Sequence, residues 1–113
     1  MKLLVDNNLS FALAHSLQPL FPEHEIVALR DKFAQNTPDV DWIGALNKEG
    51  GWSALTGERR LKTRPHERLA LDRSNVVFFF LTGPWLKYSV PETAWRLIRL
   101  VPIMATQAGL AEG

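Results

Sequence analysis

The chain has 113 residues, 46% of them hydrophobic, with 13 Lys and Arg against 12 Asp and Glu. That length supports one layered core, so a single domain over residues 1–113 is expected, and the near-balanced charge excludes a global field aimed at nucleic acid or at an acidic partner. No cysteine is present, which excludes disulfides, thiolate zinc sites and a cysteine nucleophile.

In chain order, Leu3-Leu4-Val5 reads as a short buried strand that meets a polar turn at Asp6-Asn7-Asn8. Three apolar residues are too few for a signal peptide and no segment is long enough to span a bilayer, so a cytoplasmic protein without a membrane partner is expected. Leu9, Leu13, Leu17 and Leu20 then recur at helical spacing, with Asn7 or Asn8 as N-cap and Pro19 and Pro22 as the stop. Glu25 to Leu29 reads as a second strand, and Arg30 to Asn36 as an irregular connection. Thr37-Pro38-Asp39 has the form of a helix start, Trp42, Ile43 and Leu46 form the stripe, and Gly50-Gly51 ends it.

Trp52 to Thr56 is a third strand, weakened by Ser53 and Ala54 and ending at Gly57-Glu58. A short helix is expected from Pro65 to about Asp72. Val76 to Leu81 is the most apolar run in the chain and suits a strand buried on both faces. Ser89-x-x-Glu92 matches a capping box, after which Ala94, Trp95, Ile98 and Val101 give the apolar stripe. Pro102 is expected to end or kink that helix, and the tail 104–113 to fray.

Strand and helix thus alternate, predicting an α/β fold in which a four-stranded parallel sheet carries helices on its faces. In such sheets ligands bind beyond the carboxyl ends of the strands. Asp6 and Glu58 each follow a predicted strand, and Asp39 and Asp41 open a predicted helix. Carboxylate oxygens of this kind suit a hard cation such as Mg²⁺ or Mn²⁺. The plainer reading makes the same acids turn, cap and surface residues.

Arg59, Arg60, Lys62, Arg64, Arg68 and Arg73 place six of the 13 basic residues in one stretch directly after Glu58. They could hold RNA phosphates, or form a solvated helix face. No histidine has a partner at metal-ligand spacing, so zinc is not expected. The four tryptophans read as core or interface anchors. At least one is expected on an exposed apolar surface, covered by a second copy of the chain or by another protein.

Leu4-Val5-Asp6-Asn7-Asn8-Leu9-Ser10, Leu29 to Phe33, Thr37-Pro38-Asp39-Val40-Asp41-Trp42-Ile43, and Gly57-Glu58-Arg59-Arg60-Leu61 through Pro65-His66-Glu67-Arg68 occur in order. Together with the Val77–Leu81 strand and the Trp95-Arg96-Leu97 helix, they resemble the compact PIN-like domains of VapC-type toxins. The resemblance implies a three-layer PIN-like sandwich and an endoribonuclease that cleaves RNA with water activated by Mg²⁺ or Mn²⁺, restrained by a cognate antitoxin. It puts the metal-holding acids on Asp6, Asp39 and Glu58, with Asp41 as a further catalytic candidate. Asn8, Arg59, Arg60, Lys62 and Arg64 become the RNA-binding candidates.

Two departures stand out. Glu58 occupies a position where the family usually has Asp, and a fourth acid of larger PIN nucleases has no counterpart. Both favour the alternative of a catalytically weak or inactive module that binds RNA or protein.

Overall fold

The structure, a computed structural model, describes residues 1–57 and 65–112. Four strands, β1 (Lys2–Val5), β2 (Glu25–Ala28), β3 (Trp52–Gly57) and β4 (Val77–Leu81), form one sheet in the order β2-β1-β3-β4. Every neighbouring pair is parallel, with Val5 opposite Ala28 on one side and Leu55 on the other. The helices are α1 (Phe11–Leu17), α2 (Leu29–Lys32), α3 (Asp39–Glu49), α4 (Pro65–Arg73) and α5 (Val90–Glu112). The expected α/β architecture is therefore present.

Alternation along the strands sorts the core into two halves. Leu3, Val5 and Leu55 pack with Leu13, Ala14 and Leu17 of α1 and with Leu97 and Met104 of α5. Leu4, Trp52 and Ala54 pack on the other face, with Trp42, Ile43 and Leu46 of α3. Burial of three large side chains from α3, spaced one and three residues apart, accounts for that helix despite its polar remainder. Gly50 closes it with φ +82°, a conformation that a Cβ would disfavour.

Several local expectations are corrected. Helix α1 starts at Phe11 rather than Leu9, and its cap is Ser10, whose Oγ accepts from Ala12 N at 3.2 Å. Asn8 is drawn away from capping by hydrogen bonds to β3. Leu29 leaves β2 to open the one-turn helix α2, so residues 29–32 are not an irregular connection. β3, with its small Ser53 and Ala54, is the best-covered strand and is buried throughout, because β1 and β4 flank it and both faces carry helices. β4 starts at Val77, is an edge strand and is half-buried along most of its length, not enclosed on both faces.

The last helix differs most from expectation. Ser89 does cap it, its Oγ accepting from Glu92 N at 3.3 Å. The inward stripe, however, is Leu97, Val101, Met104 and Ala108, while Trp95 and Ile98 face out with 45% and 38% exposure. Pro102 lies within the helix, which continues to Glu112. Its ring sits on the exposed side, and the turns that follow bury Met104, within the core shared by α1 and the sheet, and Ala108, so the helix persists beyond Pro102.

Candidate functional site

Helix α1, which follows β1, lies on one face of the sheet, whereas α4, which follows β3, packs with α3 on the other. β1 and β3 are neighbours, so their outgoing connections part and leave a crevice beyond their carboxyl ends. An open cleft of about 900 Å³ lies at the same carboxyl edge of the sheet, beyond β1 and β2, lined by Asp6, Ser10, Arg30, Asn36 and Asp39 among others.

Asp6 is only 8% exposed. Its amide extends the ladder by donating to Leu55 O at 2.9 Å, which puts Asp6 level with Thr56 on the face that α3 covers. The Thr56 hydroxyl donates to Asp6 Oδ2 at 2.8 Å, and Asn7 N donates to Oδ1 at 2.6 Å. One flat carboxylate held at both oxygens has little freedom to rotate. Thr56 was not among the candidates from sequence; the signal it carries is a hydroxyl at the carboxyl end of a buried strand, level with Asp6.

Asn8 binds across to β3. Its Oδ1 accepts from Gly57 N at 3.0 Å, and its Nδ2 donates to Gly57 O and to Thr56 Oγ1 at 3.0 Å. The side-chain amide thus imitates a peptide group and adds a rung to the ladder after the β1 backbone has turned away. Among the RNA-binding candidates it is the one within the described residues, and its polar atoms serve the sheet.

Asp39 lies at the first position of α3 and lines the same cleft as Asp6. Its Oδ1 accepts from the indole Nε1 of Trp42 at 2.8 Å, satisfying the one polar group of a side chain with no exposed surface. The structure therefore brings two of the sequence-derived acids, Asp6 and Asp39, to one cleft. Asp41 is exposed and is not among the lining residues, since two positions along a helix turn a side chain by about 200°. Glu58, Arg59, Arg60, Lys62 and Arg64 lie outside the described residues.

Hard oxygen donors on two converging elements fit a divalent cation that keeps several waters. Among the described residues no three His, Cys, Asp or Glu side chains gather into a metal-holding group. No described helix is long and apolar enough to cross a membrane.

Sequence reasoning also missed one wall of the cleft. Phe11, Arg30 and Asp31 line it, with the Arg30 guanidinium 4.4 Å from the Phe11 ring centroid and Asp31 Oδ2 2.5 Å from His15 Nε2. The signal available was the Leu29 to Phe33 segment, which carries part of the family resemblance.

Comparison with known families gives a match to a PIN-like domain over residues 1–83. Searches of curated proteins and of solved structures each found no match. The matched span takes in β1 through β4, and with them Asp6, Asp39 and Thr56. PIN-like domains are in general nucleases, hydrolases that use divalent metal ions.

Proposed function

The chain belongs to the PIN-like domain family, and from that premise we propose that it is a Mg²⁺- or Mn²⁺-dependent endoribonuclease acting as the toxin of a toxin–antitoxin pair. The observation that carries this reading is the meeting of Asp6 and Asp39, from two separate elements, in one open cleft beyond the carboxyl ends of β1 and β2. With Glu58 they form the set that would hold the cation. Bound there, a hard divalent ion would neutralise a phosphodiester and lower the pKa of water at phosphorus.

The protein's own part is orientation. Thr56 and the Asn7 amide fix the plane of the Asp6 carboxylate, and Trp42 fixes that of Asp39. Charge in the cleft is then aimed before any ligand arrives. Arg59, Arg60, Lys62 and Arg64 follow Glu58 in the chain and would hold RNA phosphates beside it. Trp95, Ile98, Ile103 and Leu110, exposed on α5, offer an apolar surface for the antitoxin or for a second copy of the chain. A reducing cytoplasm suits a chain without cysteine.

The test is cleavage of mixed RNA substrates in Mn²⁺, in Mg²⁺ and in chelator, with a thermal-shift titration by Mn²⁺ as an independent readout of binding. Cleavage in either metal, its loss in Asp6→Asn, and a Mn²⁺-dependent rise in melting temperature are expected. Full activity of Asp6→Asn in chelator would overturn the metal mechanism. For the toxin role, expression should arrest growth and the product of a neighbouring gene should relieve it.

The second reading, a non-catalytic module that binds RNA or protein, is favoured by the structural hydrogen bonds of both acids, which serve the fold with or without turnover. RNA binding without cleavage in any metal would select it.

A further inference from the structure

Arg30 is the one cation among the described residues that line the cleft, which it shares with the carboxylates of Asp6, Asp31 and Asp39. An anionic ligand approaching those acids is repelled unless a fixed positive charge meets it. Arg30 is the second residue of the short helix α2, just after β2, and its guanidinium lies over the exposed ring of Phe11, 4.4 Å from the centroid. Phe11 is held in turn by His15, edge to face at 5.3 Å between ring centroids. His15 also takes the carboxylate of Asp31, the acid next to Arg30 in the chain.

The guanidinium itself makes no ion pair or hydrogen bond among the described residues. A planar cation resting on an aromatic face keeps its N–H edges outward and loses little further freedom when it forks onto two phosphate oxygens.

We propose that Arg30, laid on Phe11, is a phosphodiester-binding residue of the cleft and holds an RNA backbone phosphate beside Asp6 and Asp39. The assignment rests on the ribonuclease reading and adds to it a docking residue at the β2 end of the sheet, far along the chain from the basic run after Glu58.

Binding of a short fluorescein-labelled oligouridylate to the full chain, followed by anisotropy in chelator across a salt series, tests it without requiring turnover. Arg30→Ala should weaken binding roughly tenfold, the scale of one charge-assisted hydrogen-bonded contact. It should also lower the slope of log affinity against log salt by about 0.7, the share of one phosphate on a single strand. Arg30→Lys should keep the slope while losing affinity, because the charge remains and the fork does not. Phe11→Ala should weaken binding about threefold by freeing the guanidinium. Lys48→Ala, which removes the same charge at the far end of α3, should stay within about twofold of the native chain.

In cleavage assays Arg30→Ala should raise KM and leave kcat nearly unchanged. Equal affinity and equal salt slope in Arg30→Ala and native chain, or an equal loss in Lys48→Ala, would overturn the assignment. If the native chain still cleaves RNA in that case, the ribonuclease reading survives. A native chain that neither binds nor cleaves RNA would remove both.

Discussion

Thr56 Oγ1 stands 2.8 Å from Asp6 Oδ2 across the β1–β3 register, and Thr56 is itself only 1% exposed. A buried hydroxyl therefore sets the direction of the acid on which the candidate site depends. Replacement by valine keeps the shape and removes the donor. Thr56→Val should lower unfolding free energy by about 1–3 kcal/mol, the cost of an unmet buried acceptor. Thr56→Ser should recover most of it, and urea denaturation of the two variants checks the difference. Under the ribonuclease reading, cleavage should fall in the first and persist in the second.

Asp39 serves both the cleft and the indole of Trp42, and two substitutions separate those tasks. Asp39→Asn retains an oxygen that can accept from Trp42 Nε1, so it should remain close to native stability while losing the charge a divalent ion needs. Asp39→Ala strands the N–H of a fully buried tryptophan and should cost about 1–3 kcal/mol. Near-equal stability of the two, by thermal melting, would show that the indole finds another partner.

Ser53 points its hydroxyl into the core with no hydrogen-bond partner among the described residues, at 1% exposure. Ser53→Ala removes an unsatisfied polar group and leaves a void of one oxygen at most. It should raise stability by about 0.5–1 kcal/mol, read as a higher urea midpoint at unchanged m-value.

Glu49 supplies a pH dependence. The indole N–H of Trp52 and the ammonium of Lys32 bind its carboxylate and hold its pKa below the ordinary value of 4.5. Because the folded value is the lower one, the contribution is present above pH 4.5 and fades as pH falls through the depressed value. The stabilities of native chain and Glu49→Gln should differ at neutral pH and converge in acid. A constant gap across an acid titration of unfolding would contradict the assignment.

Periodicity made the strands and most helices legible, because burial on a sheet or helix face leaves a regular apolar spacing. The two acids that reach the cleft were legible from their places after β1 and at the start of α3. The outward turn of Trp95 and Ile98 was not, since α5 carries apolar residues on both faces and spacing alone cannot say which meets the core. Nor was the persistence of α5 past Pro102, which goes with the burial of Met104 and Ala108 in the following turns. Thr56 and Arg30 escaped notice for a different reason. Each acts through a residue remote in sequence, Asp6 in one case and Phe11 in the other, and a pattern along one chain does not report such pairs.

The amide of Asn8 makes the last rung between β1 and β3 with side-chain atoms. Among the described residues this rung fastens Thr56 and Gly57, the last two positions of β3, to the turn that follows β1. Side-chain atoms thus do the work of a backbone rung at the point where the Thr56 hydroxyl meets Asp6, so one amide side chain carries a joint of the sheet and a support of the cleft. Asn8→Ala would remove both roles at once, taking the rung from the end of β3 and the neighbouring amide from Thr56.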